Sequence, residues 1–396
     1  MRSALLLQLT VMMAVISITS CSYDGLSGKA ESLADRSPSS DGNSNGNGAG
    51  IITAGEWNDL DNWDFWKGLL AEQQQDQEQQ TEEVYSRHLD YWGLSTSCRI
   101  PVTIIDRHDN PICGAKVELY RDNEEAPVWT AISDNKGSAE LWDEFYAGAH
   151  PDIAHCYAIS VNGAKAADQV TPNTECIIKA QATSTADKIV DIAFIVDATG
   201  SMRDEIQFLK DDLIDILNKV KTLQSDKKFR TGTLFYRDEG DEYLTKHDNF
   251  SEDPSVTLNF IKKQEAHGGG DFPEAVHTAL ERTIQNLSWT EGGYAHLAFL
   301  ILDAPPHHNQ EVLSSIHRCI KQFAAQGIKI IPVSASGIDR STEALLRLMA
   351  IFTDGTYVFI TNDSGVGNSH ITPSVGEYQV ESLNSLIVRL INKYSE

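Results

Sequence analysis

Residues 191–202 read Asp-Ile-Ala-Phe-Ile-Val-Asp-Ala-Thr-Gly-Ser-Met. The apolar run at its start has the pattern of a strand buried on both faces of a parallel sheet. An amphipathic helix follows at once, with Met202, Ile206, Leu209, Leu213, Ile216 and Val220 at helical spacing. A strand buried on both sides that turns directly into such a helix calls for an open α/β sheet with helices on each face. The connecting residues then lie in the crevice beyond the strand's carboxyl end, where sheets of this class bind ligands. Asp197, Thr199 and Ser201 occupy that position, and all three offer the oxygen ligands that hard cations take. The stretch therefore predicts a divalent-metal site at the crevice.

The rest of residues 186–396 agrees with this reading, because strand and helix patterns alternate. Strands are expected at 189–197, 229–236, 296–303, 328–334 and 357–361. Helices are expected at 202–221, 254–263, 272–287, 311–326, 342–351 and 380–393. Pro332 counts mildly against an ordinary central strand at its position. The expected fold is a doubly wound, mainly parallel sheet.

Asp197-Ala198-Thr199-Gly200-Ser201 resembles the Asp-x-Ser/Thr-x-Ser motif of von Willebrand factor A domains. The resemblance implies a Rossmann-like fold with a metal-ion-dependent adhesion site on the crevice rim. It implies one Mg²⁺ (or Mn²⁺), held by the first-loop motif, a second-loop Thr and a third-loop Asp. It further implies a protein ligand whose acidic side chain completes the shell. Asp197, Thr199 and Ser201 match the first loop, and Asp303, closing the apolar run 297–302, matches the third. The second loop reads His267-Gly-Gly-Gly-Asp271-Phe-Pro-Glu274 and has no Thr, so Asp271 is the candidate in its place. An Asp there adds negative charge and makes the cation less electrophilic toward an incoming carboxylate. Asp271 is equally a candidate helix N-cap, with Pro273 in the first turn and Glu274 reciprocating. Mg²⁺ suits this set better than Ca²⁺, because few carboxylates with hydroxyls and water fit a small octahedral ion. His307 and His308 are adjacent and expected to diverge, and Asp238, Glu239, Asp241 and Glu242 read as a solvated acidic loop.

Upstream, residues 98–182 carry short β-rich runs separated by turn formers such as Asp109-Asn110-Pro111 and Asn162-Gly163. They predict a small β-sandwich. The phrasing Asp109-Asn-Pro-Ile-Cys-Gly-Ala-Lys-Val117, then Ser133-Asp-Asn-Lys-Gly137, resembles transthyretin-like and collagen-adhesin-B-type modules. Cys98, Cys113, Cys156 and Cys176 all fall here, and in an exported protein they read as two disulfides with the pairing open. Cys319 lies on an apolar helix face and reads as a buried hydrophobe.

The first residues read as a targeting signal. Residues 1–20 carry Arg2 and an apolar run, ending in Ile18-Thr19-Ser20-Cys21, which resembles the bacterial lipobox. The implied product is lipidated at Cys21, and Ser22 leans toward the outer membrane. Residues 21–54 are rich in Ser, Asn and Gly, the composition of a flexible linker. Residues 55–97 combine Trp57, Trp63, Phe65 and Trp66 with a Gln-rich stretch and read as a partly helical strap packed on a neighbouring domain.

A net charge of −25 over 396 residues argues against nucleic-acid binding, which needs a basic footprint. No nucleophile elbow, zinc motif or phosphate loop is present, so an enzyme is not expected. The sequence predicts a lipid-anchored cell-envelope binding protein acting through a metal-dependent adhesion site. Two alternatives are an envelope scaffold with a structural metal and a metal-assisted hydrolase using Asp303, His307 or His308.

Overall fold

The computed structural model describes residues 52–71, 73–75, 82–121, 124–147, 156–181, 186–362 and 370–396. The expected signal segment, Cys21 and nearly all of the linker lie outside the described residues. The first elements are β1 (Thr53–Trp57), α1 (Trp63–Ala71), the paired strands β2 (Gln73–Gln75) and β3 (Glu82–Val84), and α2 (Ser86–Trp92). Helix α2 stops at Gly93, whose φ of 66° only glycine adopts without strain, and whose N–H returns to the carbonyls of Leu89 and Asp90.

Seven strands follow: β4 (Cys98–Ile105), β5 (Lys116–Arg121), β6 (Trp129–Ile132), β7 (Ser138–Asp143), β8 (Tyr157–Val161), β9 (Ala164–Val170) and β10 (Cys176–Lys179). They form two small sheets, ordered β10-β4-β7 and β6-β5-β8-β9. Strand β4 alternates strictly, burying Cys98, Ile100, Val102 and Ile104 and turning the residues between them outward. Cys98, Cys156 and Cys176 are thiols, so neither of the two expected disulfides is formed. For Cys98 and Cys176 the sheet geometry explains this. Cys176 stands opposite Val102 in the parallel β4–β10 ladder. That is four residues along the strand from Cys98, about 13 Å, whereas bridged Cα atoms stand within about 7 Å. Cys156 is exposed, Cys98 is buried against the Tyr157 hydroxyl at 3.4 Å, and Cys113 donates to the Tyr294 carbonyl.

The C-terminal half contains β11 (Asp187–Asp197), α3 (Arg203–Leu223), β12 (Lys228–Tyr236), β13 (Thr245–Ser251), α4 (Pro254–Ile261), α5 (Val276–Asn286), β14 (Gly293–Leu302), α6 (Gln310–Ala325), β15 (Ile328–Ser334), α7 (Arg340–Phe352), β16 (Tyr357–Ile360), β17 (Glu381–Ser382) and α8 (Leu383–Ser395). The sheet order is β13-β12-β11-β14-β15-β16-β1-β17, parallel from β12 to β16. Strand β13 pairs antiparallel with β12 at one edge, and β1 pairs antiparallel with both β16 and β17 at the other. Pro332 does sit in a central strand. The ladder from β15 to β16 starts only at Val333, so the N–H that proline lacks falls outside it.

Alternation splits β11 between two cores. Val190, Ile192, Phe194 and Val196 face α3 and α8, while Ile195 faces the side of α5, α6 and α7. That second core continues without a break into the seven-stranded module and the N-terminal strap. Phe352, at the end of α7, lies 4.6 Å from Phe145, 5.0 Å from Trp142 and 6.0 Å from Trp129 between ring centroids. Truncating a side chain buried in such a cluster typically costs about 3–5 kcal/mol. Residues 186–396 are therefore not closed on themselves: β1 completes their sheet and the module covers one of their helical faces.

Candidate metal centre

Asp197 ends β11 and is fully buried. Its Oδ1 accepts from the Thr199 N–H at 2.8 Å and the Thr199 hydroxyl at 2.7 Å, which folds the first loop back on the strand end. Its Oδ2 accepts no hydrogen bond. The buried Tyr236 hydroxyl faces the same carboxylate but stands outside hydrogen-bond geometry. Ser201 lies in a single 3₁₀ turn, Gly200–Met202, exposed at the rim, with its side chain near Asp303, which is buried just past the end of β14. The first and third loops are thus brought close at Asp197, Thr199, Ser201 and Asp303.

The second loop closes over them through its backbone. The Gly200 N–H donates to the Gly268 carbonyl at 3.2 Å, and the His267 N–H to the Ala198 carbonyl at 3.0 Å. Gly268 and Gly269 have φ of 85° and 76°, a region that side chains disfavour. A Cβ on Gly269 would lie 3.1 Å from Glu274 Oε1 and 3.2 Å from Thr199 Cβ, so the two residues flank the same small space. Asp241 holds this loop by accepting the Gly269 N–H at 3.1 Å.

Asp271 is exposed. The reading of Asp271 as a helix cap is corrected: α5 begins at Val276, with Ala275 as its N-cap residue. The Glu274 N–H, which a cap at Asp271 would have to receive, is committed to the Pro305 carbonyl at 2.8 Å, in a short parallel bridge to the third loop. Glu274 itself is buried, and its Oε2 has no hydrogen-bond partner. Its signal in the sequence was the Gly-Gly-Asp-Phe-Pro-Glu string, read as a capping pattern. Glu205, buried one turn into α3, and Tyr236, ending β12, also went unrecognised; each looked like an ordinary member of its element.

Buried carboxylates crowded this way resist ionisation. Burial, then the charge of Asp303, raises Asp197 to about 7 against the hydrogen bonds from Thr199. Burial first, then Asp197, Asp238, Asp241 and Asp303, raises Glu274 to about 9. Burial, then Asp303, Asp204 and Asp197, raises Glu205 to about 7, and burial also raises Asp303. The nearby guanidinium of Arg237 is spent on the carbonyls of Ala198 at 3.1 Å and Glu265 at 2.9 Å. Among the described residues, no three His, Cys, Asp or Glu side chains close a cage by themselves. The hydroxyls of Thr199 and Ser201 must therefore supply part of any donor set, which suits a hard cation that keeps waters. The orphaned oxygens of Asp197 and Glu274 fit such an ion.

His307 and His308 diverge. His307 Nε2 lies 2.7 Å from Asp238 Oδ1, while His308 stacks on Tyr91 at 3.7 Å and bonds the Tyr91 carbonyl at 2.8 Å.

Residues 191–344 match the family model of the von Willebrand factor A domain, so the C-terminal half carries such a domain. Over 136 residues, 33% of this chain and 12% of the relative, the sequence is 29% identical to an ariadne-like RING finger protein of Acanthamoeba polyphaga mimivirus. Over 123 residues, 31% of this chain and 19% of the relative, it is 29% identical to the alpha-protein kinase vwkA of Dictyostelium discoideum. The chain thus spans less than a fifth of the length of these curated relatives.

Proposed function

We propose that this protein is a lipid-anchored cell-envelope binding protein whose von Willebrand factor A domain holds one divalent cation, Mg²⁺ or Mn²⁺, and engages a protein partner at that face. The observation that carries this reading is the Asp197 carboxylate, fully buried at the carboxyl end of β11 with Oδ2 unbonded beside Thr199 and Asp303. A buried, unpaired carboxylate is costly, and a bound cation removes that cost. Asp197, Thr199, Ser201 and Asp303 would hold the ion, with one acidic residue from the second loop. The cation would supply a positive centre for an oxygen of the partner. The anchor would be a lipid on Cys21 facing the outer membrane, with the linker and a β-sandwich of β4–β10 between anchor and head.

The protein is read as a binder and not as an enzyme. For the hydrolase alternative, His308 is turned to the Tyr91 carbonyl, which leaves His307, paired with Asp238, as its candidate base. The scaffold alternative takes the tryptophan-rich strap or the sandwich as its docking surface; Trp57, Trp66 and Trp92 of the strap are buried within this chain, which leaves it the sandwich. Calorimetric titration of Mn²⁺ tests the reading: one site is expected in the wild type and none in Asp197→Ala. Equal binding by the two proteins would reject it.

A further inference from the structure

We propose that the seam between the seven-stranded module and the α/β domain holds a binding site for a small primary amine with an apolar body. Its lining includes Gly293–His296, the first residues of β14, and Lys329, near the start of β15. The cation crevice lies beyond the other ends of the strands, so this site stands independently of the cation reading.

A cavity of about 360 Å³ occupies the seam, a volume in the range of small-molecule sites. Trp289, Tyr294, Phe352 and Tyr394 line it from the α/β side. The module faces them with Ala131 and Ala139, whose short side chains leave the space between the walls. Glu291, Gly292 and Gln326, also in the lining, are exposed and mark where the cavity meets solvent.

Charge decides what the cavity accepts. Lys329 is buried and sits between two carboxylates of the lining, one from each wall. It meets Asp134 of the module at 3.5 Å, pairs more closely with Asp354, and donates to the Asp354 carbonyl at 3.0 Å. One cation therefore serves two acids. The other nearby charges do not restore the balance. Glu140 is matched by Arg99 at 2.6 and 2.8 Å. Lys227, 4.9 Å from the Tyr294 ring centroid, is opposed by Asp226 at 3.8 Å. Burial lowers His296, which keeps that ring neutral at pH 7. Exposed Glu291 adds a further negative charge at the mouth. Among the described residues of the lining, the acids thus outnumber the bases. Burial raises Asp354 against the pull of Lys329, and the charge of Asp134 adds to the rise, as expected for a carboxylate short of counter-charge. An ammonium supplies the missing charge, and the surrounding rings favour it through their faces. An anion is repelled, and a neutral molecule leaves the acid unmatched.

The test is calorimetric titration of the full chain with phenethylamine and with 2-phenylethanol, its neutral counterpart of the same shape. Salt at about 0.15 M screens exposed surface charges. One saturable phenethylamine site is expected, with the alcohol weaker by about tenfold or more. Asp354→Asn should bring the amine down to the level of the alcohol. Asp354 has φ of 55°, a conformation that Asn also tolerates, so the turn is kept. Ala325→Leu, which lengthens a side chain of the lining, should weaken both ligands. Unaltered circular dichroism separates lost affinity from lost fold, and either variant alone is decisive if the other does not fold. Absence of saturable phenethylamine binding in the wild type overturns the site. Equal affinity for amine and alcohol overturns the preference for an ammonium. Amine binding unchanged by the substitutions belongs to the acidic surface elsewhere and overturns the site as well.

Discussion

Arg347 grips both carboxylate oxygens of Asp59, at 2.9 Å from Nε and 2.6 Å from Nη2, although 288 residues separate the two in sequence. Their side chains are 0% and 1% exposed. Trp57 Nε1 donates to the same Asp59 at 3.1 Å, and the guanidinium lies 4.8 Å from the Trp66 ring centroid. The remaining Nη1 donors reach the Tyr85 hydroxyl at 3.2 Å and the Ser374 carbonyl at 2.7 Å. The pair thus clamps the N-terminal strap to α7.

Removing one member leaves the other charged and buried, which typically costs about 3–5 kcal/mol. Asp59→Ala and Arg347→Met should each lower the urea midpoint strongly. The double variant Asp59→Leu with Arg347→Met should recover part of that loss, because no uncompensated charge remains. A double variant no better than either single one would mean the clamp acts through packing alone.

The parallel sheet and the first and third loops were legible because their signals are local. The run into Asp197 is apolar throughout, and Asp303 ends another such run. The strap's strand was not legible. Thr53–Trp57 has no pattern that distinguishes a strand of its own domain from one lent to β16 some 300 residues later. Glu274 was misread for a related reason. Its string satisfies the spacing of a capping box, but the competing bond from its N–H to Pro305 joins distant loops and leaves no local trace. The four cysteines of the module suggested a framework by composition, while register in the β4–β10 ladder sets Cys98 and Cys176 apart.

The strap strand leads to a second prediction, on truncation. A fragment spanning 186–396 would expose the β16 edge and the helical face that the module now covers. Unpaired edges and exposed apolar faces promote association. Size-exclusion chromatography should therefore show this fragment aggregated, and a chain starting at residue 52 monomeric. A monomeric, cooperatively melting 186–396 fragment would show that the strap and module are dispensable for the α/β fold.

A third prediction concerns pH. Without metal, Asp197 titrates near 7 and Glu274 near 9, both raised chiefly by burial. Unfolded carboxyls titrate near about 4, so between that value and the raised ones the folded state holds more protons. Stability of the metal-free protein must then fall as pH rises through this window. In chelator, the melting temperature should drop by several degrees from pH 5 to pH 9. Bound Mn²⁺ favours the ionised forms, so saturating metal should flatten or invert the trend, adding about 2.7 kcal/mol at a hundredfold excess over Kd. Identical pH profiles with and without metal would contradict the placement of the cation among these carboxylates.

The glycine loop gives the last prediction. Gly268 has φ of 85°, and a Cβ there would fall 2.3 Å from the Asp241 carboxylate. Alanine therefore meets two separate penalties. The left-handed conformation costs about 1–2 kcal/mol for a residue with a Cβ. The steric clash displaces Asp241, which fixes the Gly269 N–H, and disturbs the Gly268 carbonyl that receives the Gly200 N–H. Gly268→Ala should lower both stability and Mn²⁺ affinity. Adding Asp241→Ala removes the clash and leaves the backbone strain, so the two substitutions should be non-additive. Denaturation and calorimetry on the four proteins of this cycle measure the coupling. Strict additivity would mean that Asp241 does not brace the second loop against the first.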